Sequence, residues 1–81
     1  MLQSADPRDK LLAAVNYGRP ITGKKYPKSY LRACSRWFGR LGWRDREIAL
    51  LAAKAYRSGK DDQAKKIAAW LPLAPKCPDL D

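Results

Sequence analysis

Prolines and glycines divide this chain into short segments, and that division limits it to short helices or strands. Proline interrupts both helices and sheets, and glycine weakens both of them. Breaks fall at Gly18, in the loop 19–27, at Gly42 and at Ser58-Gly59, and three prolines follow residue 71. Each segment between these breaks can hold only a few turns of helix.

The first segment carries the start and stop signals of a helix. Asp6 is a good N-cap, and Pro7 suits the first helical position. Gly18 is a natural C-terminal stop, so we predict a helix over residues 7–17. The loop 19–27 that follows contains three basic residues and no acidic one.

The second segment, which begins near Pro27 or Lys28, has the clearest helical pattern. Its apolar residues recur at the steps that mark one face of an α-helix: Tyr30, Leu31, Cys34, Trp37, Phe38 and Leu41. We expect Gly39 to weaken the last turn of this helix and Gly42 to end it.

Two further helices are predicted after Gly42. The third follows almost at once, has Asp45 in its first turn and ends at Ser58-Gly59, and the fourth opens at Asp61 or Asp62. Helical spacing of apolar residues predicts their buried stripes. These are Ile48, Leu51, Ala52 and Ala55 in the third helix, and Ala64, Ile67, Ala68 and Leu71 in the fourth.

The predicted fold is all-α, a single small domain of three to four short helices with a proline-rich C-terminal tail. One domain suits a length of 81 residues. The helical domain would span residues 1–71. Three prolines, at the spacing found in residues 72–81, cannot continue a helix and predict an extended tail there.

The basic residues of the chain are concentrated in one third of it. The net charge is +9, from 17 basic and 8 acidic residues. Between Arg19 and Arg44 there are eight basic residues and no acidic one, whereas the remainder has nine basic and eight acidic residues. The electrostatic field of such a concentration of positive charge favours negatively charged partners.

Five basic residues of this stretch recur every four positions: Lys28, Arg32, Arg36, Arg40 and Arg44. Each step of four advances about 40° around a helix, so they form a ladder opposite the apolar face. If the helix stops at Leu41, Arg44 leaves the ladder. Like charges at this spacing repel each other, and arginine forks match phosphate oxygens. The ladder therefore indicates an anionic partner rather than a merely solvated face.

The candidate binding residues are the ladder, two lysines of the preceding loop and one tryptophan. They are Lys24, Lys25, Lys28, Arg32, Arg36, Arg40, Arg44 and Trp43. Aromatic rings among cations suit single-stranded nucleic acid, because bases stack on them. Trp37 and Trp70 are expected in the core, whereas the position of Trp43 in a turn is compatible with either role.

Two hypotheses of function from different classes follow. The first is a small, basic, non-enzymatic accessory protein that binds the phosphates of DNA or RNA with little sequence discrimination. The second is a small inhibitor or adaptor, of the kind that phages and plasmids encode, which docks on an acidic face of a protein or nucleoprotein machine. In the second case Trp43 or the tail 72–81 would supply an anchor. Membrane binding is the weakest hypothesis, because the apolar face of the second helix is needed for the core.

The sequence contains no catalytic apparatus, metal site or cofactor motif. There is no histidine, and the acidic residues come in short pairs at predicted helix starts, where capping explains them, or in the tail. Two cysteines are too few for a four-ligand zinc site, and no glycine-rich phosphate loop occurs. We therefore predict that the protein is not an enzyme and holds no cofactor.

Features of the termini and of the cysteines predict a reducing, cytoplasmic location. Residues 1–6 lack the charged and then apolar regions of a signal peptide. No apolar run approaches the roughly 18 residues that span a bilayer. Cys34 lies in the apolar pattern of the second helix, so we expect it to be buried and not joined to Cys77.

Overall fold

Four α-helices with short connections make up the structure, a computed structural model that describes residues 2–78. The helices are α1 (Pro7–Gly18), α2 (Lys28–Gly39), α3 (Trp43–Arg57) and α4 (Asp61–Ala68). Two short strands, β1 (Gln3–Ser4) and β2 (Ala74–Pro75), lie near the ends of the described chain. The predicted all-α class is confirmed, and the first helix and the loop after it lie where they were expected.

α1 is the central helix of the fold. Seven consecutive residues, 10–16, are buried, because α2, α3 and α4 all pack against this helix. Its start follows the predicted signal, since Asp6 Oδ1 accepts a hydrogen bond from the Arg8 amide at 2.9 Å. Burial on every side also encloses two polar residues, Lys10 and Asn16, which the apolar pattern did not single out.

α2 buries the predicted apolar face but ends earlier than expected. Its buried residues are Tyr30, Cys34, Trp37 and Phe38. The last helical residue is Gly39 rather than the one before Gly42, because glycine is a poor helix former. The Arg40 amide donates to carbonyl oxygens both three and four residues back, which tightens the turn. Gly42 instead begins α3, where its carbonyl oxygen accepts the Arg46 amide at 2.9 Å.

α3 buries alanines rather than leucines. Its buried residues are Ala49, Ala52 and Ala53. Of the predicted stripe only Ala52 is fully buried, although Ile48 and Ala55 also pack against the core. Ile48 and Ala55 are half-buried, and Leu51 is exposed together with Leu50. α3 packs on both α1 and α4, and small side chains allow helices to approach closely. The buried side of α3 is therefore the side that faces both α1 and α4, and it is not the side that carries the largest apolar side chains.

α4 returns along α3 in an antiparallel hairpin. The turn contains Gly59, whose φ of +81° is a conformation that favours glycine. Three of the four predicted inward residues are buried: Ala64, Ala68 and Leu71. Ile67 is half-buried. Trp70 is 80% exposed, so its predicted place in the core was wrong. After Ala68 the Trp70 amide bonds only three residues back, and this tighter turn directs Trp70 outward and Leu71 inward.

The segment after α4 returns to the N-terminus of the chain. β1 and β2 are antiparallel, with Gln3 opposite Pro75 and Ser4 opposite Ala74. The Lys76 amide donates to the Leu2 carbonyl oxygen at 2.9 Å, and β2 packs on α1 and α2. The predicted tail 72–81 is described only as far as residue 78, and residues 79–81 lie outside the described residues.

Three basic side chains bind carbonyl oxygens at the C-terminal ends of helices. Lys10 Nζ donates to the Ala69 carbonyl oxygen after α4 at 3.5 Å, and Arg57 Nη2 donates to the Val15 carbonyl oxygen in α1 at 3.2 Å. Arg46 Nη2 donates to the last carbonyl oxygen of α2 at 2.9 Å. The Val15 carbonyl oxygen also accepts the Arg19 amide at 3.2 Å. Carbonyl oxygens at the C-terminal end of a helix carry partial negative charge, so cations stabilise them.

Candidate functional site

The outer face of α2 carries four basic residues of the predicted ladder: Lys28, Arg32, Arg36 and Arg40. All four are exposed, whereas Cys34 and Phe38 on the opposite side are buried. Arg40 follows the last residue of α2 but keeps helical angles (φ −88°, ψ −8°). At a rise of about 1.5 Å per residue the row is about 18 Å long. We call these four residues the α2 ladder.

Arg44, the predicted fifth member, lies on α3. The chain leaves the helical path of α2 after Arg40, so Arg44 cannot continue the row and occupies the first turn of the next helix. It is exposed there. The nearby Arg46 instead folds back over α2, where its guanidinium carbon lies 5.9 Å from the centre of the Phe38 ring.

The loop between α1 and α2 carries Lys24 and Lys25, and a buried asparagine holds it in place. Asn16 Oδ1 accepts the Ile21 amide at 3.2 Å, and Asn16 Nδ2 donates to the Tyr30 hydroxyl at 3.4 Å. Both lysines are exposed. Because Tyr30 belongs to α2, the loop and the start of the ladder share one anchor.

Among residues 2–78, the side chains of the α2 ladder donate no hydrogen bond to the rest of the fold. In the part of the chain that the structure describes, basic side chains donate hydrogen bonds from Lys10, Arg46 and Arg57, and none of these is a ladder residue. The nearest acidic residues in sequence are Asp9 in α1 and Asp45 in α3. The ladder residues are therefore exposed cations without a side-chain hydrogen bond to other residues in the range 2–78.

Of the aromatic rings near the basic stretch in sequence, Trp43 is the most open. It begins α3 and is 75% exposed. Tyr17 is stacked on Phe38, with ring centres 3.8 Å apart and planes inclined by 7°. Tyr26 is half-buried, and its ring centre lies 5.2 Å from that of Tyr30. Trp43 is thus the ring with a face available to a partner.

The two thiols have the surroundings of packing residues. Both are free, and Cys34 is fully buried as the pattern predicted. Burial raises the pKa of the Cys34 thiol to about 11 and also raises the pKa of Cys77 above its ordinary value. Because the thiolate is the reactive form, Cys34 at neutral pH is a buried hydrophobe and not a nucleophile.

A groove that no local sequence pattern indicated lies between α2 and the segment 72–75. It has a volume of about 490 Å³, and Arg36, Arg40 and Trp37 line it together with Leu73. Trp37 Nε1 is buried and has no hydrogen-bond partner among residues 2–78. The groove exists because the C-terminal segment returns to β1, a long-range pairing that periodicity along one helix cannot reveal.

Within residues 2–78, every helix is too short or too polar to cross a membrane. The candidate functional features in the described part of the chain are the α2 ladder, the lysines beside it and the groove next to it. Comparison of the chain with protein-family models, with curated proteins and with solved structures found no match.

Proposed function

We propose that this protein is a small, basic accessory protein that binds the phosphates of nucleic acid through the α2 ladder and the lysines of the preceding loop. The proposal rests on the contrast between the basic residues that bind helix ends and those of the ladder. The fold uses Lys10, Arg46 and Arg57 at helix ends, but it leaves the ladder exposed on a helix with no acidic residue. Like charges four residues apart weaken a helix, and a polyanion removes that repulsion.

The dimensions of the ladder suit a nucleic-acid strand. Each of the four basic side chains in this row, which is about 18 Å long, can contact one phosphate of a strand. Arginine binds phosphate oxygens with two parallel hydrogen bonds. Lys24 and Lys25 extend the positive surface before α2, and Arg44 extends it after α2. The exposed ring of Trp43 supplies a stacking surface for an unpaired base.

Little sequence discrimination is expected from this surface. Base edges are read by polar side chains that enter a groove of the nucleic acid, whereas contacts to phosphates carry no sequence information. α3 would be the reading helix if α2 and α3 acted as a helix-turn-helix. Its exposed residues include Leu50 and Leu51, which cannot form hydrogen bonds to base edges.

The groove beside the ladder favours a second candidate, the inhibitor or adaptor that docks on an acidic protein face. Arg36 and Arg40 line this groove next to Leu73, which is 53% exposed. A protein segment with a carboxylate and a neighbouring apolar side chain would find complementary groups on both sides. In that case the same arginines would pair with carboxylates instead of phosphates.

The test is a variant that combines Arg32→Gln, Arg36→Gln and Arg40→Gln. Glutamine is as good a helix former as arginine, so the fold should stay as stable or gain slightly. The affinity for labelled, mixed-sequence single-stranded and double-stranded oligonucleotides, measured by fluorescence anisotropy at about 50 mM salt, should fall by about a hundredfold or more because three phosphate contacts are lost.

The matched control removes three positive charges elsewhere, through Lys60→Gln, Lys66→Gln and Lys76→Gln, all at exposed positions. This control should lose far less affinity than the ladder variant. Equal losses in the two variants would show that only net charge matters and would contradict a site on α2. No binding by the wild type would favour the protein-docking candidate.

A further inference from the structure

The outer face of α3 leaves two leucines in solvent. Leu50 is 54% exposed and Leu51 is 57% exposed. Glu47 and Lys54 flank them on the same face, opposite the buried alanines of α3. Around the helix these four residues lie within an arc of about 100°. Single exposed leucines are ordinary, but two adjacent ones on one helix face form an apolar patch that a partner can cover.

A shallow apolar groove continues this face towards α4. It has a volume of about 380 Å³, and its apolar lining is formed by Leu51, Ala55 and Ile67. Lys54 and Lys60 also contribute to its lining. The face of α3 therefore offers both projecting side chains, at Leu50 and Leu51, and a depression beside them that can receive side chains of the same size.

We propose that a second copy of this chain covers the face, with the two α3 helices antiparallel about a two-fold axis between Leu50 and Leu51. In this register Leu50 of each copy packs against Leu51 of the other. Glu47 of each copy lies opposite Lys54 of the other, which gives two ion pairs related by the axis. A surface that is complementary to itself under a two-fold rotation is what an isologous dimer requires.

The charge pattern of the face favours a second copy over other occupants. Glu47 and Lys54 carry opposite charges, so two ion pairs between the copies offset part of the repulsion between chains that each carry +9. α2 packs on α1 and β2, so pairing through α3 leaves the ladder of each copy exposed. The inference does not depend on the proposed function, because none of its contacts involves a ladder residue.

The dimer should be weak. α3 has 15 residues and is therefore about 22 Å long. A contact along one helix of this length buries less surface than the roughly 1,600 Å² of a standard stable interface. We expect dissociation in the micromolar range. Trp43 lies about 11 Å along the helix from the axis, at the edge of the contact.

Sedimentation equilibrium across protein concentrations from about 10 μM to about 1 mM tests the inference. The wild type should show a monomer–dimer equilibrium, and Leu50→Lys should be monomeric throughout with an unchanged circular dichroism spectrum. The control Leu73→Lys, which changes an exposed leucine elsewhere, should dimerise like the wild type. A wild type that remains monomeric to the highest concentration would overturn the proposal.

Charge reversal tests the antiparallel register. Glu47→Lys and Lys54→Glu should each raise the dissociation constant about tenfold, because each turns two attractions into two repulsions. The double variant exchanges the charges and should return to within about threefold of the wild type. If the double variant remains as weak as either single variant, the two helices do not meet in the proposed register.

Discussion

Basic side chains lie in two different kinds of surroundings in this protein. Arg46 and Arg57 donate hydrogen bonds to carbonyl oxygens at the ends of α2 and α1. Such contacts stabilise helix ends. Arg32 and Arg36, on the outer face of α2, are exposed and lie on the side of the helix that faces away from the core. A charge count alone would treat these four residues alike.

The buried hydroxyl and thiol groups around α2 make stability depend on pH in the alkaline range. Burial raises the pKa of Cys34 from its ordinary value of 9.0 to about 11, and burial also raises the pKa of Tyr30 above its ordinary value. Between about pH 9 and pH 11 the unfolded chain loses the thiol proton and the folded chain keeps it. The free energy of unfolding should therefore fall as the pH rises through this range.

Urea denaturation at about pH 8 and about pH 10.5 measures this effect. Cys34→Ala should be less stable than the wild type at the lower pH, because it leaves a small cavity. Its stability should decline less steeply between the two pH values, and the contribution of Tyr30 should remain. Parallel declines in the two proteins would contradict the assignment to Cys34.

At the scale of elements, one buried asparagine joins α1, the basic loop and α2. Asn16 binds the Ile21 amide and the Tyr30 hydroxyl. Asn16→Ala would leave both groups buried or half-buried without this partner, which should destabilise the fold by about 1–3 kcal/mol. Hydrogen exchange of the Ile21 amide should accelerate, since the loop would lose its anchor.

Ser35→Ala, at an exposed position of α2, is a suitable control for that change, and it should alter neither the stability nor the exchange rate appreciably. If Asn16→Ala lowers stability while the protection of the Ile21 amide is unchanged, the loop is held by other contacts. Lys24 and Lys25 would then keep their positions without the asparagine.

Most starts and ends of the helices could be predicted from the sequence. The buried face of a helix could be predicted only where all its apolar residues lie on one side. Asp6 and Gly59 marked a helix start and a turn correctly. The apolar face of α2 was also predicted, because its polar and apolar residues lie on opposite sides. Leu51 and Trp70 were assigned to the core wrongly, since their orientation depends on which neighbours α3 and α4 meet.

At the scale of the whole molecule, the features that escaped prediction are long-range ones. The pairing of β1 with β2 joins residues about seventy positions apart, and the groove between α2 and segment 72–75 depends on it. The α2 ladder needed only the period of one helix, so its four members could be placed from sequence. Arg44 does not belong to the ladder, because α2 ends at Gly39 and Arg44 lies in α3.

The molecule is small enough for one helix to dominate a face. Its principal extents are 27 × 27 × 19 Å, and the α2 ladder covers about 18 Å. Eight of the 17 basic residues lie between Arg19 and Arg44, in the segment that contains this ladder. A polyanion would be attracted to this side before it makes specific contacts.

The salt dependence of binding tests the central claim most directly. About five phosphate contacts predict that the logarithm of the association constant for duplex DNA falls against the logarithm of salt concentration with a slope of about −4 to −5, at about −0.9 per contact. In the variant with Arg32, Arg36 and Arg40 changed to glutamine, the slope should shrink in magnitude by about 2.7. A variant that folds and keeps the slope of the wild type would contradict phosphate binding by the ladder.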